Sequence, residues 1–344
     1  MNLAQVKQTT LGLILAHNDR NGRGPDPFQP ALMMHAMAEG KLLAAVAELL
    51  RCGAVSASWS ESMSLGSIRR LAELQIPTQY GPAFGLGFAW KGMPANTPFT
   101  ITTSIVVDGL ERFAAVTDNP GPFEDMANAA RRWLVSPDVV DSESGLPFFS
   151  PAYRTVVTNV VGYWVHVLRN SHPELANTGD QYVRNCYVGG VGWPYTSTDR
   201  RLDLLHTCYT ARGLLLASDF SIHIASAISR FITPGALLDK VDAVPVREAV
   251  AIASRSTKAC VALGENIGYV LHHAPARTWS IGELLSICAA RPGGSEYSGF
   301  WRSLATRSIA EIEVRDVEVD GPRHAMHVAY GLAAHLATAR GNSG

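Results

Sequence analysis

Asp203 and His206 stand three residues apart at the start of an apolar helical run, a spacing that puts both side chains on one helix face. A carboxylate beside an imidazole orients the ring and tunes its basicity, which suits proton transfer near neutral pH. The pair sits in Gly189–Leu216, GGVGWPYTSTDRRLDLLHTCYTARGLLL, just behind a Gly-rich loop that carries Trp193, Pro194 and Tyr195. Tyr195 joins Asp203 and His206 as the third catalytic candidate, and Trp193 is expected to line the same cleft. Arg200 and Arg201 supply planar cations able to clamp a carboxylate or phosphate. The plainer alternative is a helix cap by Asp203 and a hydrogen-bonded structural histidine.

Three further groups extend the candidate site. Tyr80, Phe84, Phe88 and Trp90 alternate with Gly81, Gly85 and Gly87, and flat rings on such a loop match the apolar faces of sugars or an apolar plug. Tyr80 and Trp90 are taken as substrate-binding. Arg154 and Asn159 begin the Tyr153 run and are expected to face a cavity mouth, where a buried polar group needs a partner. Asp108 and Arg112 have the spacing of a helical ion pair. Trp59, Glu61 and Arg69 form a weaker polar–aromatic group. His324 and His327 could share a metal by spacing, but no third ligand lies near them in sequence, so they read as helix-end or surface histidines and no metal is expected. A Gly-x-Gly without a preceding strand gives no dinucleotide site, and no cofactor is expected.

Helices must position these groups. Apolar spacing predicts helices over 31–51, 62–74, 103–117, 123–134, 153–170, 203–218, 222–231, 246–273, 280–290, 297–310 and 323–337. Thr103-Ser104-Ile105, Thr158-Asn159-Val160 and His206-Thr207-Cys208 each put small or polar residues before an apolar helix. They recur at about 50 residues, the length of a helical hairpin, so the chain holds roughly six or seven hairpins. Long aromatic loops on alternate connections favour a closed α/α toroid over an open solenoid. The fold class is therefore all-α, one α/α-toroid domain over 1–344 with little β structure. Residues 312–320, IEVRDVEVD, alternate like a short strand or arm.

Composition narrows the partners. The 344 residues are 47% hydrophobic and 17% charged, with formal net charge −1, so no basic surface for nucleic acid is indicated. The five cysteines lack CxxC spacing and read as buried free thiols of a reducing compartment. No segment approaches the roughly 20 apolar residues of a membrane span. A cytoplasmic protein is expected, with a small-molecule or oligosaccharide ligand and room for a protein partner.

The runs YGPAFGLGFAW (80–90), TPFTITTSIVVDGL (97–110), FFSPAYRTVVTNVVGYW (148–164) and VGWPYTSTDRRLDLLHTCYTARGLL (191–215) together resemble the α/α-toroid proteins of bacterial carbohydrate and polysaccharide metabolism. That superfamily includes six-hairpin glycosidases, uronate epimerases and lyases. The resemblance implies a ring of helical hairpins around a sugar-binding funnel; it does not choose a reaction. Terpene cyclases and protein prenyltransferases share the toroid, but Asp138-Val-Val-Asp141 lacks the third carboxyl group of a DxDD motif. No Asp-x-Cys and no aspartate-rich helix occur.

Three functions follow for test. The leading one is acid–base chemistry on an oligosaccharide or acidic sugar by a lyase, epimerase or hydrolase. The second is a non-catalytic binding or scaffold toroid within a larger assembly, and the third an isoprenoid enzyme. Acids, His and Arg converging on the funnel would mark the first, a funnel packed with Leu, Val and Phe the second, and a deep dry aromatic cavity the third.

Overall fold

Six helices rich in Ala, Leu, Val and Gly build the inner wall of a ring, and six more cover it from outside. The computed structural model describes residues 1–26, 29–189, 191–196, 201–233, 236–255, 260–263, 267–271, 275–290, 297–315, 317 and 321–341. The N-terminal helix α1 (Leu3–Asp19) is followed by a hairpin of β1 (Gly24–Asp26) and β2 (Gln29–Met33). Helices α2 (Ala36–Arg51), α3 (Ala57–Glu73), α4 (Thr100–Ala114) and α5 (Gly121–Leu134) come next. A second hairpin, β3 (Phe148–Ser150) and β4 (Tyr153–Val156), precedes α6 (Thr158–Leu168) and α7 (Pro173–Asn185). Then come β5 (Arg201–Asp203), α8 (Leu204–Gly213), α9 (Ser221–Ser229), β6 (Lys240–Pro245), α10 (Val246–Ala253), β7 (Cys260–Leu263) and β8 (Ile267–Leu271). The chain ends with α11 (Thr278–Ala290), α12 (Ser298–Glu313) and α13 (Pro322–Gly341).

The ring closes because α2 packs on α4, α4 on α6, α6 on α8, α8 on α11, α11 on α13, and α13 back on α2. Each inner helix carries an outer partner: α3, α5, α7, α9 and α12 follow theirs in sequence, while α1 covers α13. The first helix thus completes the last hairpin. The described residues form an α/α toroid of six hairpins, where the repeat spacing implied six or seven and the loop placement a toroid. Among the described residues no helix is long and apolar enough to cross a membrane.

Inner helices are buried on all sides, which is why α2 reads as apolar all round: Ala36 through Leu49 are all buried. It ends in a Schellman turn, with Gly53 at φ +64°, the Gly53 amide on the Leu50 carbonyl and the Ala54 amide on that of Leu49. Close approach between alternate inner pairs depends on facing glycines. A methyl group at Gly109, Gly213 or Gly331 would run into the carbonyl oxygen of Gly40, Gly162 or Gly282 respectively. Gly213→Ala is expected to cost about 1–3 kcal/mol, read as a lower denaturant midpoint at unchanged slope.

Beside each of these six glycines stands a polar residue: Lys41, Asp108, Tyr163, Arg212, Glu283 and Tyr330. They meet inside the ring. Lys41 Nζ donates to Glu283 (2.7 and 2.8 Å) and to Tyr163 Oη (3.0 Å), and Tyr163 donates to Asp108 (2.8 Å). Arg212 donates to Glu283 (2.6 Å), Ser286 (2.6 Å) and Tyr330 Oη (3.2 Å). Helices α2, α6 and α11 are not neighbours in the ring, so the bonds of Lys41 to Tyr163 and Glu283 cross its centre. Asp108 also pairs with Arg112 at 2.7 Å, the i,i+4 contact expected from sequence. A second buried carboxylate, Glu39, ties the outer layer in: it accepts from His17 of α1 (2.8 Å) and from Arg70 of α3 (2.9 and 3.0 Å).

Several elements differ from the sequence reading. The helix expected over 246–273 stops at Ala253, and β7 and β8 follow; with β5 and β6 they form an antiparallel sheet in the order β5-β6-β8-β7. The expected helix start at Tyr153 is strand β4, with α6 beginning at Thr158. Ile312 and Glu313, expected in a strand or arm, form the last turn of α12; residues 316 and 318–320 lie outside the described residues.

Candidate functional site

A cavity of about 250 Å³ opens at the N-terminal ends of the inner helices. Each of the six contributes from its first turns: Met37 from α2, Ile101 and Thr102 from α4, Asn159 from α6, Leu205, His206 and Tyr209 from α8, Trp279 from α11 and Arg323 from α13. Six helix dipoles therefore point their positive ends at one volume. The loop bearing Phe88, Trp90 and Lys91 forms one wall, and the sheet residues Leu202, Asp203 and Lys240 form another.

Asp203 joins strand, helix and cavity. It ends β5 and caps α8, its Oδ1 accepting the His206 backbone amide at 3.1 Å. The same Oδ1 lies 3.2 Å from His206 Nδ1, off the ideal hydrogen-bond direction, and Oδ2 accepts from Arg277 Nη2 at 2.9 Å. Burial works to raise the Asp203 pKa, but the imidazole and guanidinium beside it outweigh that and hold the carboxyl well below its usual range. Asp203 stays ionised. Asp239, just before β6, holds Arg277 Nε at 2.9 Å and accepts from Ser280 at 3.0 Å, so the guanidinium is fixed between two carboxylates and over the Trp279 ring.

His206 is one-third exposed, with Nδ1 buried against Asp203. An acceptor at Nδ1 favours the tautomer that leaves a lone pair on Nε2. The Tyr195 ring packs edge-on against it, centroids 4.9 Å apart. Asp203 is thus the helix cap that the plainer reading expected, and His206 stands beside it among the cavity-lining residues.

Tyr209 presents a second polar group. The Arg323 carbonyl can only accept, so His327 Nδ1, 2.6 Å away, carries the proton. Burial lowers the His327 pKa to about 3, which keeps the ring neutral and makes Nε2 an acceptor for the Tyr209 hydroxyl at 2.8 Å. The Tyr209 proton points away from the cavity and its oxygen offers lone pairs. His324, stacked on Trp279 at 4.6 Å, is likewise buried, so both histidines expected at a helix end or surface belong to the interior. His35, lowered to about 4 chiefly by burial, is neutral too.

These groups set an acid limit on stability. For His327 and His35 the unfolded chain binds protons from about pH 6.5, whereas the folded chain resists to about 3 and 4. Glu283, held at about 2, adds a window below its unfolded value of about 4.5. In every case the unfolded state binds more protons, so stability falls as pH falls. Denaturant midpoints should decline from about pH 6.5 and more steeply below about 4.5, and His327→Gln should blunt the first phase.

Of the sequence candidates, Asp203, His206, Tyr195, Trp90 and Asn159 line the cavity together. Trp90 lies against Phe99 and Phe149, which share that wall. Trp193 does not line it: the ring is 3% exposed, donates to the Val183 carbonyl at 2.9 Å and packs on Tyr187 and Phe220. Tyr80 also lies elsewhere, half-buried in the turn stapled by Thr78 and Gly81. Arg154 is exposed on β4 over the Phe148 ring. Arg200 lies outside the described residues. Sequence reasoning missed Arg277, Trp279, Arg323, Tyr209 and Lys240. Among the described residues no three His, Cys, Asp or Glu side chains cluster as a metal site requires.

The lining combines the aromatic rings of Phe88, Trp90, Tyr195 and Trp279 with the polar groups of Asp203, His206, Arg277 and Arg323. Compared by sequence, the chain matches no family model and no curated protein. By structure it is similar to a GH76 α-mannanase from Bacteroides thetaiotaomicron, with TM-score 0.66 and 10% identity over 100% of this chain and 98% of that one. It is also similar to cellobiose 2-epimerase from Spirochaeta thermophila, with TM-score 0.62 and 12% identity over 99% and 98%. A sugar epimerase from a ruminal bacterium gives TM-score 0.59 and 10% identity over 91% and 87%. All three likenesses concern the fold.

Proposed function

We propose that the chain is a single-domain, carbohydrate-active enzyme that moves a proton on a sugar, with His206 as the general base. The observation that carries this is the Asp203–His206 pair set among aromatic walls at the mouth of the helical ring. Flat rings such as Trp90, Phe88 and Tyr195 suit the apolar faces of a sugar. His206 Nε2 takes a proton from carbon next to a carbonyl or carboxylate, and Asp203 stabilises the imidazolium that results. Arg277, rigid between Asp203 and Asp239, offers its remaining Nη1 to the enolate oxygen.

Tyr209 is a poor second base. Accepting a proton would send its own to His327, and that ring resists charge down to about pH 3. Its role is to accept a substrate hydroxyl. Two-carboxylate hydrolysis fits less well, because Asp203 is the only carboxylate among the described lining residues and cannot serve as the protonated acid. The similar structures include epimerases as well as an α-mannanase, so both reaction classes occur on this fold.

The test is isotope exchange. Reducing sugars and uronates are incubated with the protein in D2O, and the proton next to the carbonyl or carboxylate is followed by NMR. Exchange or epimerisation supports the reading; release of glycan fragments without exchange replaces it with hydrolysis.

A further inference from the structure

Two sets of unmet polar groups belong to residues that line the same cavity, and their chemistry is different. The first set is buried. Thr102 Oγ1, Asn159 Oδ1 and Trp279 Nε1 have no hydrogen-bond partner in the protein, and all three residues line the cavity. Asn159 is only 4% exposed. A buried polar atom left unmatched costs about 1–3 kcal/mol, so a hydroxyl donor, an indole donor and an amide acceptor here are fitted to a hydroxylated ligand. The second set is cationic. Lys91 and Lys240 line the cavity and pair with no carboxylate among the described residues.

Lys240 stands opposite Asp203 in the β5–β6 register. Asp203 is already taken by the His206 amide, the imidazole and Arg277. Asp239 is taken by Arg277 and Ser280, and Arg323 has its own carboxylate in Asp26 at 2.5 Å. Each arginine of the lining is thus matched by an aspartate, and the two lysines are the cations left over. Lys91 is held at the rim in a left-handed backbone conformation, φ +47°, its ammonium 4.5 Å from the Trp90 ring centroid. The helix N-termini below add positive potential of the same sign.

We infer that the ligand is an acidic sugar, its hydroxyls meeting Thr102, Asn159 and Trp279 while a carboxylate or phosphate meets Lys91 and Lys240. This rests on the sugar-binding reading above and narrows it: a neutral oligosaccharide leaves both ammonium groups unused.

Isothermal titration tests it with hexuronates and hexose 6-phosphates of gluco, manno and galacto configuration, each beside its neutral parent, and with cellobiose. At least one acidic sugar should bind about tenfold tighter than its parent, and the advantage should shrink between 50 and 300 mM salt, roughly as screening demands. In the Lys91→Gln/Lys240→Gln double variant most of that advantage should be lost, roughly a five- to tenfold fall, with binding of the neutral parent changing by much less. A preference for uronates over phosphates, or the reverse, identifies the anion. The inference is overturned if a neutral sugar binds as tightly as every acidic one, if no acidic sugar binds, or if the double variant keeps the full advantage. Failure of the proton-transfer reading is separate: an acidic sugar would bind and depend on the lysines yet exchange no carbon-bound proton.

Discussion

Replacing His206 with Gln abolishes proton exchange, by about 10²–10⁴-fold in kcat, while the melting temperature stays close to that of the parent. The reason lies in how the ring is held. His206 is one-third exposed, and what it gives to α8 is its backbone amide, which Asp203 caps whatever side chain follows. Removing the imidazole therefore removes a base without removing the cap. Asp203→Asn behaves differently, because it takes away the cap's charge, the partner of Arg277 and the orienting group of His206 together. It should lose both activity and about 1–2 kcal/mol of stability. Parallel thermal melts and D2O exchange assays separate the two. If His206→Gln unfolds the chain while Asp203→Asn does not, His206 is a structural histidine and the assignment of the base falls.

The legible and illegible parts of this site divide along the chain. Tyr195, Asp203 and His206 lie within twelve residues and could be read as a unit, because a turn followed by a helix start fixes their neighbourhood locally. Arg277, Trp279 and Arg323 reach the same cavity only through closure of the ring, and no local spacing links α11 and α13 to α8. Trp193 and Tyr80 show the opposite error. An aromatic residue in a Gly-rich loop has one sequence signature and two destinations, and here the Trp193 indole turns inward to the Val183 carbonyl while Trp90 keeps to the cavity wall. The sheet was hidden for another reason: the Ala-rich stretch AVAIAS favours a helix, and α10 satisfies that preference for only eight residues before β8 pairs with β6 and β7 pairs with β8.

One signal in the sequence was available and unused. Gly40-Lys41, Asp108-Gly109, Gly162-Tyr163, Arg212-Gly213, Gly282-Glu283 and Tyr330-Gly331 each place a glycine beside a polar residue in an otherwise apolar helix. In ring order the polar members run cation, acid, tyrosine, and then cation, acid, tyrosine again. The glycines let neighbouring helices touch in three pairs, and the polar residues beside them meet across the ring. The result is a bonded wall of charge inside the ring, and none of its six members is among the residues that line the cavity.

Glu283 is the member of that wall whose loss should cost most. Lys41 and Arg212 both donate to it, and all three side chains are at most 2% exposed. Burial works to raise its pKa, yet the two cations outweigh that and hold it at about 2. Glu283→Ala leaves two buried cations facing each other, a change worth about 3–5 kcal/mol when one partner of a buried pair is removed. Lys41 retains only the Tyr163 hydroxyl, and Arg212 retains Ser286 and Tyr330. Much of the variant should be recovered unfolded. Glu283→Gln keeps the shape and removes the charge, and adding Lys41→Met to it removes one stranded cation while filling similar volume. The double variant should regain part of the stability that Glu283→Gln loses, and urea midpoints for the four chains of this cycle read the coupling directly. Strict additivity would mean that Lys41 and Glu283 stabilise the ring independently, contrary to their 2.7 Å contact at its centre.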